Sequence, residues 1–256
     1  MPELPDLQVF SKNLQKELKG KKLEKITVRA GANVNVSSAQ LKKKVERETV
    51  KTVYREGKEL RMAFRNGTVL GLHMMLHGKL VWYDEEPPKY SLVEMEFEKD
   101  VHLALTDFQR QARLTVDPEA PAAPDALGDE VNLSFWKKAL QTKAKIKNLL
   151  LDQKVIRGIG NAYADEILWE AKISPFSVSA NIPPAKVSKL VKAVRKVLKN
   201  AEKKIAKAEP DIIGGEIRDF LVIHNAHKKK SPTGAAIRVS TSGGRKTYYT
   251  GEQEEF

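Results

Sequence analysis

A glycine-interrupted segment in the second half of the chain carries residues suited to binding phosphate. In "VIRGIGNAYADE" (155–166), Gly158 and Gly160 break a helical pattern, and Asn161 stands where the next helix can be capped. Backbone N–H groups at such a helix start face outward and attract anions. A plain tight turn between two helices explains the same pattern equally well, so both interpretations stay open. Three basic residues accompany the segment: Lys147, Lys154 and Arg157.

The start of the chain, "MPELPDL", is a second segment that does not resemble a simple packing element. Pro2 and Pro5 interrupt a helix, and Glu3 is costly to bury without a partner. The later segment "REGKELRMAF" (55–64) is equally unlike a plain core strand. Packing alone therefore does not explain either segment, and we expect both to have a functional role.

Composition limits the class of protein. With 256 residues, 41% of them hydrophobic, the chain can form one large domain or two smaller ones. Lys and Arg number 45 against 33 Asp and Glu, and the resulting net charge of +12 favours a polyanionic partner. A high charge also serves plain solubility.

Several classes of protein are excluded. The chain has no cysteine, which rules out disulfides and thiolate metal sites, and its five histidines have no metal-ligand spacing. No apolar run is long enough to span a membrane, and no signal peptide precedes the first helix. We therefore expect a cytoplasmic protein without a membrane partner.

The apolar spacing predicts the elements that position these segments. A helix is expected over 6–18, followed by strand-like runs over 22–116 that include a hairpin turn in "RNGT" (65–68). A Pro- and Ala-rich linker occupies 117–130. Helices are then expected over 135–140, 144–153, 162–171 and 185–208, before a last hairpin around Ser242-Gly243-Gly244. The lysines of the 185–208 helix are interpreted as a solvated face.

Four motifs together resemble a known family. "PELPDL", "REGKEL", "KIKNLLLDQKVIRGIGNAYADEIL" and "GGRKTYY" occur in the order and spacing of the formamidopyrimidine-DNA glycosylase / endonuclease VIII family of base-excision repair enzymes. The combination is specific although no single motif is, and it spans nearly the whole chain.

The resemblance implies an α+β fold in three parts. An N-terminal catalytic β-sandwich domain with a leading helix would occupy 1–118, and a helix-two-turn-helix DNA-binding domain 119–219. A β-hairpin finger without zinc would occupy 220–256. The implied partner is double-stranded DNA with a damaged, above all oxidised, base or an abasic site, bound by a monomer that needs no cofactor.

The resemblance also implies roles for single residues. Once Met1 is removed, Pro2 would be the amine nucleophile that forms a Schiff base with the sugar, because an α-amino group has a pKa of about 8, well below that of lysine. Glu3 would be the general acid toward the deoxyribose ring oxygen. Lys58 would act near the lesion phosphate in the lyase step, and Arg245 would clamp phosphates from the finger tip.

Further positions are predicted to contact DNA. His73 and Asn161 match residues of the family that bind phosphate, although a lone histidine in an apolar strand is as often a core residue. Lys147 flanks the phosphate-binding turn. The hole left by a flipped nucleotide would be filled from two loops, and the candidates there are Leu76, Gln109, Arg110 and Gln111.

The chain departs from the family pattern at two places. Most members hold the finger with four zinc-bound cysteines, and this chain has none, so we expect packing and hydrogen bonds to hold its hairpin. Where the family has an arginine and an aromatic wedge in "DPRRFG", this chain has "DFQRQA" (107–112). Glutamine is a poorer wedge than phenylalanine, and Leu76 would then be the main one.

Two other functions remain open from the sequence. A lesion- or abasic-site-binding protein of the same fold with little or no catalysis would explain the altered wedge loop. A general basic nucleic-acid binder would explain the charge but not the N-terminus. The preferred lesion and the preferred opposite base are not predicted.

Overall fold

The computed structural model describes residues 1–256, apart from the side chain of Ser242. The chain forms two compact units. The first comprises residues 1–120 and 205–216, and the second comprises residues 121–204 and 217–256. In the part of the chain that the structure describes, no helix is long and apolar enough to cross a bilayer.

The first unit is built from two β-sheets and two helices. One sheet has the strand order β1-β7-β8-β6, and the other has the order β2-β9-β5-β4-β3. The neighbours in these sheets are antiparallel except for β2 and β9. The elements are α1 (Leu4–Leu18), β1 (Leu23–Val28), β2 (Asn33–Val34), α2 (Ser38–Val45), β3 (Val50–Glu56), β4 (Glu59–Phe64), β5 (Val69–His73), β6 (Lys79–Tyr83), β7 (Ser91–Phe97), β8 (Val101–Thr106) and β9 (Arg113–Val116).

A single apolar core joins the two sheets to both helices. The predicted stripe of α1 is confirmed, since Leu7, Phe10, Leu14 and Leu18 are all buried in this core. The hairpin at 65–68 is confirmed as well: β4 pairs with β5, and Gly67 has a φ of 93° in the turn between them. The predicted α+β architecture with N-terminal sheets is therefore present.

The first helix begins two residues earlier than predicted because Glu3 caps it. The backbone N–H of Glu3 donates to Asp6 Oδ2 over 2.8 Å, and the Glu3 side chain accepts from the backbone of Asp6 in return. Pro5 fits the first turn of α1, where a backbone N–H has no helical partner to lose. This reciprocal cap fixes the chain directly after Pro2.

Helix α2 corrects the expectation of a single leading helix in this half of the chain. Its N-cap Ser37 accepts from the N–H of Gln40 over 3.2 Å, and the Gln40 side chain accepts from the N–H of Ser37 over 3.0 Å. Leu41 and Val45, four residues apart, are buried in the core. The Ser-x-x-Gln pattern was visible in the sequence as a helix start.

The second unit is mainly helical and ends in a β-hairpin. The hairpin turn is confirmed: Gly243 and Gly244 have φ values of 55° and 74°, as a two-residue turn with positive φ at both positions requires. On α6, the predicted apolar stripe is buried at Val187, Leu190 and Leu198. The elements are α3 (Leu133–Ala139), α4 (Ile146–Leu151), α5 (Asn161–Ala171), a 3-10 turn (Ser179–Asn181), α6 (Pro184–Ala208), β10 (Ile237–Ser242) and β11 (Arg245–Thr250), where residues 205–208 of α6 belong to the first unit.

The connection between α4 and α5 is braced by one glutamine. Gln153 Oε1 accepts from the N–H of Gly158 over 3.0 Å, and Gln153 Nε2 donates to the carbonyls of Leu151 and Ile159 over 3.0 and 2.9 Å. The expectation that Asn161 caps α5 is wrong. Gly160 is the N-cap and Asn161 is already helical, so its side chain is available for another contact.

The cap of α2 yields a stability prediction. Replacing Ser37 by alanine removes the acceptor for the N–H of Gln40 and should lower the free energy of unfolding by about 1 kcal/mol. Urea unfolding followed by circular dichroism measures the change. Ser38→Ala, which changes the adjacent exposed serine and keeps the cap, is the matched control. Equal stability of the two variants would contradict the prediction.

Candidate active site

A cavity of about 430 Å³ in the first unit has Pro2 in its wall. Pro2 is buried, and the ammonium of Met1 donates to the carboxylate of Glu216, which lines the same cavity. Glu3 follows with a buried side chain that is oriented by the cap of α1. An amine and two carboxylates are thus gathered at the start of α1. Other polar and titratable residues in the wall are His77, Lys79, Lys89, Tyr90, Thr106 and Asp107.

Lys58 lies in the two-residue turn between β3 and β4. Arg55 holds this turn, since its Nε donates to Gln8 Oε1 over 3.0 Å and one terminal nitrogen donates to the carbonyl of Gly57 over 3.1 Å. Gln8 belongs to α1, so the turn that carries Lys58 is tied to the helix that starts at the Pro2 cavity. Gly57 has a φ of 59°, which favours glycine there.

His73 ends β5, where it pairs in register with Arg113 of β9. Burial, and after it the positive charges of Lys58 and Arg113, together lower the pKa of His73 from 6.5 to about 4. His73 Nδ1 accepts from the N–H of Met75 over 3.1 Å. The imidazole is therefore neutral near pH 7, and its proton is on Nε2, which can donate a hydrogen bond.

The two loops predicted to replace a flipped base expose large side chains at the cavity. Leu76 and Phe108 are each 56% exposed. The ring centroid of Phe108 lies 4.7 Å from that of His77 and 6.4 Å from that of Tyr90. Sequence reasoning missed Phe108, although it directly precedes Gln109. The loop therefore has an exposed aromatic residue of its own.

Asp107 fixes the backbone of that loop. Its carboxylate accepts from the N–H groups of Gln109, Gln111 and Ala112, each over 2.9 Å. The side chains of Gln109 and Gln111 are exposed, as the prediction of a base contact requires. Arg110 instead extends along Gly31, where an added Cβ would lie 2.6 Å from a guanidinium nitrogen.

In the second unit, the turn before α5 and the finger strand β11 meet at the backbone carbonyl of Lys246. Asn161 Nδ2 donates to the carbonyl of Lys246 over 3.0 Å, and Lys147 Nζ donates to the same oxygen over 3.3 Å. Lys147 also donates to Thr247 Oγ1 over 2.8 Å. Arg245 is exposed at the start of β11 and directly precedes Lys246, whose carbonyl accepts these hydrogen bonds. The structure thus brings three predicted residues of this unit together.

Asp165 organises this arrangement, and sequence reasoning missed it. Its side chain is 0% exposed, and Oδ1 lies 2.7 Å from Lys147 Nζ. Oδ2 accepts from the N–H of Tyr248 over 2.9 Å and lies 2.7 Å from His224 Nδ1. The position of Lys147 does not support the predicted DNA contact, because its ammonium is buried among these partners. We assign it a positioning role.

Further carboxylates hold the finger. Glu252 accepts from Thr233 Oγ1 over 2.6 Å and lies 3.2 Å from Lys172 Nζ. These interactions, the hydrogen bond from Thr233 first, lower the pKa of Glu252 to about 2. A finger zinc does not fit, because the chain lacks cysteine and no group of three His, Asp or Glu among the described residues could hold a metal. Ion pairs thus add to the expected packing and hydrogen bonds.

Comparison with known proteins identifies the family. Residues 1–114 match the formamidopyrimidine-DNA glycosylase N-terminal domain, and residues 122–209 match the formamidopyrimidine-DNA glycosylase H2TH domain. The formamidopyrimidine-DNA glycosylase of Carboxydothermus hydrogenoformans is 32% identical over 202 residues, covering 77% of this chain and 76% of that protein. That of Pelotomaculum thermopropionicum is 28% identical over 268 residues, covering 97% of both.

A solved structure shares the fold. It is that of Lactococcus lactis formamidopyrimidine-DNA glycosylase bound non-covalently to DNA containing an AP site. It is 24% identical, with a TM-score of 0.87, and the alignment covers 99% of this chain and 100% of that one. The two matching domain models place this chain, with its N-terminal sheets and its terminal hairpin, in the class of DNA glycosylases that contain an H2TH domain. Within that class, the chain belongs to the formamidopyrimidine-DNA glycosylase family.

The pKa of His73 yields a prediction on pH. Because the folded protein resists protonation of His73 and the unfolded chain does not, stability should fall as the pH drops from 6.5 to about 4. The loss from this group is about 3 kcal/mol. His73→Gln should flatten the pH dependence of urea unfolding in this window. Parallel curves for the two proteins, or an imidazole that titrates near 6.5 by NMR, would contradict the assignment.

The buried ion pair yields a second prediction. Asp165→Asn leaves the ammonium of Lys147 buried without its counter-charge and should lower the free energy of unfolding by about 3 to 5 kcal/mol. Asp129→Asn, at a fully exposed aspartate of the same unit, should change it little. Urea unfolding of both variants beside the wild type measures the difference. Matching curves for all three proteins would show that the finger is held in some other way.

Proposed function

We propose that the chain is a bifunctional DNA glycosylase and AP lyase that removes damaged, above all oxidised, bases through a Schiff base at Pro2. The observation that carries this proposal is the position of Pro2 in the cavity wall, directly before the buried carboxylate of Glu3. A packing role does not require a chain start arranged in this way.

The chemistry starts with removal of Met1, which frees the secondary amine of Pro2. An α-amino group has a pKa of about 8, so a useful fraction is unprotonated at neutral pH. Its lone pair attacks C1′ of the damaged nucleotide and the base departs. Glu3 then gives a proton to the ring oxygen as the sugar opens to the Schiff base. Strand cleavage at the abasic site follows from this intermediate.

Support for DNA as the partner comes from charge and from relatives. The net charge of +12 suits a polyanion, and the Lactococcus lactis relative is bound to DNA containing an AP site. The charge of Lys58 and the Nε2–H of the neutral His73 lie close to each other and can both face a phosphate. Asn161 and Arg245 would bind further phosphates.

Base flipping would use the exposed side chains at the cavity. Unstacking a nucleotide costs a few kcal/mol, and inserted apolar or aromatic side chains offset part of that cost. Leu76 is the predicted wedge, and Phe108 supplies the aromatic surface that the glutamines of its loop lack. Gln109 and Gln111 can hydrogen-bond the orphan base, since their side chains are exposed and their backbones fixed.

The proposal also assigns a task to each part of the chain. Residues 1–118 would carry the chemistry, residues 119–219 the phosphate-binding turn, and residues 220–256 the finger. A monomer would act on chromosomal DNA in the cytoplasm of a bacterial-type cell.

Borohydride trapping tests the nucleophile. The wild-type protein should give a covalent adduct with duplexes that contain an abasic site or an oxidised base, because the Schiff base is reduced to a stable amine. Mass spectrometry after trypsin should place the adduct on the N-terminal peptide that ends at Lys12. Pro2→Gly should trap far less.

Two results would contradict this assignment: an adduct on another peptide, or equal trapping by Pro2→Gly. Intact mass determines whether Met1 has been removed. A retained methionine, with tight binding of a tetrahydrofuran duplex and no adduct, would instead favour a lesion-binding protein without turnover.

A further inference from the structure

Glu216 shares the cavity with the proposed nucleophile. Its carboxylate accepts a hydrogen bond from the ammonium of Met1, 215 residues away in sequence. Its side chain is 32% exposed, so it is reachable from the cavity and still in contact with the protein. Glu216 and Pro2 both belong to the first unit. An acidic side chain is therefore already in contact with the amino end of the chain.

The segment that carries Glu216 is fixed to this unit. Asn13 of α1 donates to the carbonyls of Pro210 and Ile212, each over 2.8 Å. Gly214 packs so closely on β6 that an added Cβ would lie 2.4 Å from the carbonyl oxygen of Leu80. These contacts fix the backbone that leads to Glu216, so its position at the cavity is set by the packing of the first unit.

Once Met1 is removed, the Pro2 nitrogen becomes the amino end of the chain, within reach of the Glu216 side chain. The nitrogens of Met1 and Pro2 are three bonds apart, about 3 to 4 Å. A glutamate side chain covers that distance by changing rotamer. The preceding residue, Gly215, has a φ of 92° and carries no side chain that could obstruct this rotamer change.

We propose that Glu216 is a further catalytic residue, the proton acceptor for the Pro2 amine. This inference rests on the proposed function. When the lone pair of Pro2 forms the bond to C1′, the base leaves with the electron pair of the glycosidic bond and is protonated by water. The nitrogen then carries one proton too many for a Schiff base.

Glu216 takes that proton and restores the lone pair on nitrogen. The lone pair then forms the C1′=N bond as the C1′–O4′ bond breaks, with O4′ receiving a proton from Glu3. The two carboxylates therefore act on different atoms, one accepting and one donating a proton. The charged and titratable groups that face the same cavity are His77, Lys79, Lys89, Tyr90 and Asp107.

The test compares Glu216→Gln with Glu209→Gln, an exposed glutamate of the same segment. The readout is the single-turnover rate of borohydride trapping on an abasic-site duplex, measured from pH 6 to 9. Glu216→Gln should reduce the rate at pH 7 by about 10- to 100-fold, whereas Glu209→Gln should match the wild type. Binding of a tetrahydrofuran duplex should stay the same in both. Glu216→Asp, which keeps the carboxylate, should recover part of the rate.

A purely electrostatic role gives the opposite result. A carboxylate that only pairs with the amine raises its pKa, so Glu216→Gln would then trap as fast as the wild type or faster near pH 7. That outcome would overturn the inference while leaving Pro2 as the nucleophile. Absence of any wild-type adduct would instead refute the proposed function itself.

Discussion

The buried pair of Lys147 and Asp165 is the constraint on which the second unit depends. A charge without access to water must keep its partner, so α4, α5 and the finger strand β11 have to meet where this pair lies. The backbone at Lys246 is fixed as a consequence, and Arg245 with it. In this chain a carboxylate and an ammonium hold the finger. Such an anchor requires no cysteine and no metal supply.

In the first unit, the start of α1 is the constraint that positions the amino end of the chain and the turn with Lys58. The reciprocal hydrogen bonds of Glu3 and Asp6 make α1 begin at Leu4 and fix the residue before it. Gln8, one turn further along α1, orients the turn with Lys58 through Arg55. One short helix therefore sets the position of both the amine end and the lysine. An N-terminal nucleophile needs this kind of support, because chain termini are otherwise poorly ordered.

Local patterns allowed much of the fold to be predicted, and contacts between distant residues explain what was missed. The stripe of α1 and the Gly243-Gly244 turn depend on neighbouring residues, and both were recognised. Asp165 reaches Tyr248, 83 residues on, and the Met1–Glu216 contact spans 215 residues, so neither has a local signature. Helix α2 does have a local signature, the capping box of Ser37 and Gln40. Asn161 has a residue type that is typical of a cap, but its side chain donates to the finger strand instead.

The two carboxylates beside the amine differ in how they are held, and this difference suits different roles. Glu3 is tied to the backbone of Asp6 and is buried, so it can serve one atom at one distance. The Glu216 side chain is partly exposed, so it can change rotamer beside a nitrogen that changes from amine to Schiff base. In the proposed mechanism a fixed acid and a movable base are both required, because O4′ departs from a set position while the nitrogen rehybridises. The helix cap holds the Glu3 side chain itself, whereas the contacts of Asn13 and Gly214 fix only the backbone that leads to Glu216.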